Sequence, residues 1–165
     1  MVFAAAANSA RLIVMLHDRE HYMRLALELA REAAEAGEVP VGCVIVDPEG
    51  HVIGTGRNRR EESHRADAHA EIEAIGMACS ALGTWRLTGC TLYVTLEPCP
   101  MCAGAIINAR IPTVVYGARE DNFGSCGSVI NLFEERYGHH PAVYGGVCAD
   151  ECAGLLSDFF GALRG

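Results

Sequence analysis

The chain reads as one α/β domain with a central mixed sheet of about five strands, and three observations predict it. Five short apolar or β-branched runs, near 41–46, 51–55, 91–96, 113–116 and 142–147, are separated by stretches with helical periodicity. Strands that alternate with helices call for a sheet covered on both faces. The first two runs are joined by Asp47-Pro48-Glu49-Gly50, a tight turn, so the sheet opens with an antiparallel hairpin and is mixed.

Taken in order, Asp18 is suited to cap a helix that carries Tyr22, Leu25, Ala26, Leu29, Ala30 and Ala33 on one face and ends at Gly37. Val41 to Val46 and His51 to Thr55 form the hairpin. Arg57 to Asp67 is polar and loop-like, and Ala66 to Leu82 is helical in composition, which puts His69 and Glu71 in a first turn. Thr91 to Leu96 is a strand stopped by Pro98, and Pro100 to Asn108 is a helix with proline at its start. Thr113 to Tyr116 leads into a glycine-rich loop, 117–128. A short helix near 129–136, a strand near 142–147 and a last helix from Asp150 to Leu163 complete the domain.

Length and composition narrow the classes. A chain of 165 residues is long enough for one well-packed core. No run approaches the roughly 18 apolar residues of a membrane helix, which predicts a soluble protein with no membrane partner. The formal charge is −8, and all thirteen basic residues are Arg. Such a balance disfavours broad phosphate binding, yet Arg57, Arg59, Arg60 and Arg65 cluster and read equally as a solvated loop or an RNA contact.

The eight cysteines come without a secretory signal, which predicts reduced thiols and a cytoplasmic location. Cys43, Cys79 and Cys90 lie in apolar contexts, and Cys148 and Cys152 sit one helical turn apart. All five read as structural. Cys126, in the glycine-rich loop, is the best candidate for an exposed reactive thiol. Residues 1–17 read as a flexible extension of an 18–165 domain, with Met15 a candidate start.

The chemistry concentrates in two short segments. One is His69-Ala70-Glu71; the other, starting 27 residues beyond Glu71, is Pro98-Cys99-Pro100-Met101-Cys102. One histidine and a C-x-x-C pair give three metal donors, and a catalytic zinc keeps its fourth position for water. Zinc brings the pKa of that water toward neutrality, and a carboxylate two residues from the histidine can move its protons. A C-x-x-C alone would also serve a redox dithiol or a structural knuckle. The first has no need of a distant His-x-Glu. The second requires a fourth ligand, for which His64, His139 and His140 are candidates without ligand spacing. Glu73 lies about 200° around the helix from Glu71 and should face elsewhere. Trp85 reads as a packed loop anchor more readily than as a base-stacking ring. The stripe Leu155, Leu156, Phe159, Phe160 and Leu163 reads as core.

His-x-Glu followed by Pro-Cys-x-x-Cys is the signature of the zinc nucleobase deaminases. Together with Glu38-Val39-Pro40-Val41-Gly42, Thr95-Leu96-Glu97-Pro98, Gly127-Ser128 and Ala149-Asp150-Glu151-Cys152, it resembles the bacterial tRNA-specific adenosine deaminases over about residues 18–160. The resemblance implies a three-layer α/β/α cytidine-deaminase-like fold working as a homodimer. It implies one zinc per subunit on His69, Cys99 and Cys102, with Glu71 as proton shuttle and Asn58 against the substrate nucleoside. The implied reaction is hydrolytic deamination of adenosine to inosine at the wobble position of a tRNA anticodon stem-loop. The chain departs from the family pattern at Arg119-Glu120-Asp121-Asn122-Phe123, where an Asp and a Lys-containing stretch are common, and it carries no basic C-terminal tail. Both departures predict weaker or more salt-sensitive tRNA binding. A guanine or cytosine deaminase is the nearest enzymatic alternative. A non-catalytic partner subunit is the competing class, and the presence of Glu71 argues against it.

Overall fold

The computed structural model describes residues 2–165, with side chains described from Asp18 onward. The expected extension over residues 1–17, and a start at Met15, lie outside the residues whose side chains are described. The elements are α1 (Val2–Glu35), β1 (Gly42–Val46), β2 (Val52–Arg57), α2 (Arg60–Ser63), α3 (Ala70–Leu82), β3 (Thr91–Leu96), α4 (Pro100–Asn108), β4 (Thr113–Ala118), a 3-10 turn (Leu132–Glu134), β5 (Ala142–Tyr144) and α5 (Ala149–Arg164).

One five-stranded sheet runs in the order β2-β1-β3-β4-β5. β1 pairs antiparallel with both β2 and β3, whereas β3–β4 and β4–β5 are parallel, so the sheet is mixed as the hairpin requires. Each face has its own core. Met23, Ala26 and Leu27 of α1 and Cys152 of α5 pack on Val44, Val46, Tyr93 and Val115. Ala70, Ala74 and Ala78 of α3 and Ala103 and Ile106 of α4 pack on Cys43, Ile45, Leu92, Val94 and Val114. The arrangement is three layers, α/β/α.

Strand alternation explains the split. Cys43 and Ile45 point to one helix layer while Val44 and Val46 point to the other. The β1 strand is consequently buried along its whole length, which is why it reads as a continuous apolar run. Small residues bring α3 unusually close to β2: a Cβ on Gly56 would strike the carbonyl of Ala70 and approach the amide of Ala74. Glycine there fixes the height at which the first turn of α3 sits.

The structure corrects several expectations. Asp18 lies within α1 instead of capping it. α3 begins at Ala70, not Ala66, because the carbonyl of Ala68 accepts from the Arg59 amide (3.0 Å), which holds 66–69 in non-helical backbone. The polar 57–67 segment contains the single turn α2, whose first amides are capped by the buried Glu38 carboxylate (Glu62 N to Oε1 2.7 Å). The helix expected near 129–136 shrinks to the 3-10 turn. His140 hydrogen-bonds the Phe133 carbonyl (2.7 Å), which diverts it from a longer helical ladder. Trp85 is not a packed anchor: it is 53% exposed, with the Arg86 guanidinium 4.4 Å from its ring centroid. Nor is the α5 stripe all core, since Phe160 and Leu163 are exposed.

Candidate active site

Parallel strands leave their carboxyl ends at one edge of a sheet, and loops there can converge without crossing. Here the ends of β2, β3 and β4 meet the approach to β1. A cavity of about 610 Å³ opens at that edge, lined by Val39, Val41, Asn58, His69, Glu71 and Cys99 among others.

Both metal-bearing segments enter it as helix starts. His69 is the N-cap residue of α3 with extended backbone (φ −79°, ψ 155°), and Cys99 is the N-cap residue of α4 (φ −76°, ψ 172°). Neither side chain caps its own helix, so each is free to turn into the cavity. Cys102 sits one turn into α4 and is fully buried. The three donors converge: Cys99 Sγ is 3.6 Å and Cys102 Sγ 3.5 Å from His69 Nδ1. A tetrahedral zinc with its usual Zn–N and Zn–S bonds separates N and S ligands by about 3.5 Å. The residues fit that ion, and among the described residues they are the one metal-ligating group of this kind. His139 and His140 bond to backbone carbonyls of Ile111 and Phe133, so neither supplies a fourth ligand.

The electrostatics suit a metal. A hydrogen bond from the Cys102 thiol holds the Cys99 sulfur down at about 4, and the same bond with burial pushes Cys102 upward. The hydrogen bond to Cys99 raises the His69 imidazole. Two sulfurs sharing a proton beside an imidazole form an anionic nest at two helix N-termini, where the dipoles favour negative charge.

Glu71 lies one step inside α3 and is 4% exposed. Burial drives its carboxyl up to about 7, and it hydrogen-bonds to Cys102. Glu73, as expected, faces away and pairs with Arg65 (3.2 Å). Asn58 is buried in the cavity wall with its amide oriented by two backbone partners. Nδ2 donates to the Val39 carbonyl (3.3 Å) and Oδ1 accepts from the Arg60 amide (3.3 Å).

Four contributors escaped sequence reasoning. Phe123 and Phe160 line the cavity although they come from a loop and from α5. Arg60 lines it alone among the clustered arginines, for Arg57 and Arg59 pair with Glu62 and Arg65 pairs with Asp67 and Glu73. Glu97 is 2% exposed and accepts from the amides of Glu120, Cys126 and Ser128 and from the Ser128 hydroxyl. A carboxylate beside Pro98 was the one visible signal, and its partners lie more than twenty residues away. Cys126 is a correction: it is buried, and burial with the nearby Glu97 charge pushes its thiol up to about 12, so it is not an exposed nucleophile.

A three-layer α/β/α fold with three converging metal donors and a buried carboxylate beside them at the floor of a cavity defines a zinc-dependent deaminase. Residues 16–118 match the cytidine and deoxycytidylate deaminase zinc-binding region, and the chain belongs to that family. It is 51% identical to the tRNA-specific adenosine deaminase of Bacillus subtilis (strain 168) over 146 residues, 88% of this chain and 90% of the relative. A solved structure from studies of A-to-I editing by tRNA:A34 deaminases at the wobble position superposes with a TM-score of 0.78. It is 48% identical and spans 82% of this chain and 98% of the other. A guanine deaminase from Nitrosomonas europaea shares the fold at a TM-score of 0.75 and 28% identity, over 85% of this chain and 83% of the other. Among the described residues no helix is long and apolar enough to cross a membrane.

Proposed function

We propose that this chain converts adenosine to inosine at the wobble position, 34, of a tRNA anticodon, releasing ammonia. The observation that carries the chemistry is the buried Glu71 carboxylate set against three metal donors at the floor of an open cavity. Identity to the tRNA-specific adenosine deaminase of Bacillus subtilis supports the substrate.

His69, Cys99 and Cys102 hold the zinc. When bound, the ion supplies Lewis acidity that brings a water's pKa toward neutrality. Glu71 is the proton shuttle: it would take one proton from the attacking water and pass it to ring N1 of adenine, then take the second from the new C6 hydroxyl and pass it to the departing amine. The C6–O bond forms, the C6–N bond breaks, and the products are inosine and ammonia. Burial raises the Glu71 carboxyl above its ordinary value, which suits a group that must accept and return a proton. Asn58, its amide fixed by Val39 and Arg60, contacts the nucleoside. Val41, Leu96 and Met101 form apolar walls for the base, which enters from an unpaired loop where unstacking is cheap.

In this reading residues 18–165 are the deaminase domain and residues 1–17 an extension. The enzyme acts as a homodimer in the cytoplasm. The test is incubation of zinc-loaded protein with an adenosine-34 anticodon stem-loop, scored for inosine by nucleoside mass spectrometry, beside free adenosine, cytosine and guanine. Inosine in the RNA is the expected result. Product from free guanine or cytosine alone would overturn the substrate and keep the zinc chemistry. Zinc binding without ammonia release on any substrate would leave a non-catalytic subunit.

A further inference from the structure

The loop that follows β4 walls part of the cavity and contributes Glu120 and Phe123 to it. It presents no free cation to a phosphate. Arg119 is tied to Asp121 (2.9 Å), and Glu120 Oε1 accepts from the Asn122 amide (2.8 Å). What it presents is an aromatic ring: Phe123 is 66% exposed. A large exposed ring at the mouth of a catalytic cavity is available for a flat group of an entering ligand to stack on.

The ring stands on a fixed base. Glu97 takes the Glu120, Cys126 and Ser128 amides at 3.0–3.1 Å, and the Ser125 amide donates to the Pro98 carbonyl (2.8 Å). Gly124 packs so closely on this clamp that a Cβ there would meet the Glu97 carboxylate at 2.6 Å. The clamp starts two residues before Cys99, so the loop carrying Phe123 is referenced to the metal site itself. An aromatic held rigid loses little entropy when a flat partner stacks on it.

We propose that Phe123 is a stacking platform for the base next to the target adenosine in the RNA strand. The inference rests on the RNA reading above. A nucleobase presents a π-face whatever its identity, so such a platform grips the loop without reading its sequence. It also supplies affinity without charge, which suits a chain of net charge −8 that gains little from phosphates overall.

The experiment compares wild type, Phe123→Ala and Phe123→Trp on the adenosine-34 stem-loop, on the same loop made abasic at position 33 or at position 35, and on free adenosine. Stacking is worth about 1–3 kcal/mol per base, so Phe123→Ala should raise KM on the intact loop roughly 5- to 150-fold. kcat should hold, and Phe123→Trp should restore KM. On one of the two abasic loops wild type and Phe123→Ala should behave alike, because the stacked base is gone. An unchanged KM on the intact loop would overturn the proposal, as would an equal penalty on both abasic loops. A changed oligomeric mass for Phe123→Ala in sedimentation would also overturn it, placing the ring in a subunit interface. Absence of inosine from wild type on every RNA would defeat the RNA reading and this proposal together, and is seen before any variant is made.

Discussion

The floor and the rim of the cavity are built in opposite ways. At the floor Glu71 and Cys102 are 4% and 0% exposed, carried on the first turns of two helices whose alanine faces lock onto the sheet. At the rim Phe123 and Phe160 are 66% and 42% exposed, carried on a loop and on the outer end of α5. Floor groups have their positions set by packing and their protonation set by burial. At the rim, Phe123 is placed by hydrogen bonds among loop residues and Phe160 by its helix, and both rings meet water. A buried floor suits one kind of bond cleavage, while the exposed rim is the part of the site that a substrate meets first.

The comparison can be broken first at its strongest point. Glu71→Gln should lower turnover about 10²- to 10⁴-fold, the usual worth of a positioned acid–base group, with zinc content unchanged by metal analysis. Retained turnover would remove Glu71 from the chemistry. Cys99→Ala should lose both zinc and activity, and a variant that keeps stoichiometric zinc would show that the three donors are not the site.

Gly56→Ala tests whether the floor is set by packing. The new methyl meets the Ala70 carbonyl at the start of α3, beside His69 and Glu71. Overpacking of this kind costs about 1–3 kcal/mol, or several degrees of Tm at about 2–4 °C per kcal/mol. A melting curve matching wild type would mean that the helix and strand can part freely.

In the buried wall between floor and rim, Asn58→Ala should raise KM with zinc retained, and unchanged kinetics would make Asn58 purely structural. The smallest effect belongs to Glu62, which holds Arg57 and Arg59. Hydrogen bonds from Arg59 and then Arg57 lower its pKa in the folded state. Its contribution is therefore present above the ordinary glutamate value and lost as pH falls through the folded one. Glu62→Gln should give a slightly lower Tm at pH 7, and the difference from wild type should shrink as pH falls below the ordinary glutamate range. A difference that grows on acidification would reverse that sign.

Much of the architecture was legible because proline and alternation are local signals. β3 (Thr91–Leu96) and α4 (Pro100–Asn108) match their expected limits to the residue, since Pro98 and Pro100 punctuate them. The start of α3 was misplaced because the backbone bond from Arg59 to Ala68 joins segments with no shared pattern. Cys126 was misread for a related reason: a glycine-rich loop looks exposed until a buried carboxylate, Glu97, gathers its amides inward.

By itself the sequence determined the donor set and the layer order. His69 and Glu71 share one helix start, Cys99 and Cys102 share another, and ligand geometry within a turn follows from the helix. Tertiary structure alone decided which carboxylate clamps a loop and which aromatic rings face the cavity. Those outcomes join residues twenty to one hundred positions apart. Their contacts are set by the meeting of strand ends at one edge of the sheet, a relation that no local pattern encodes.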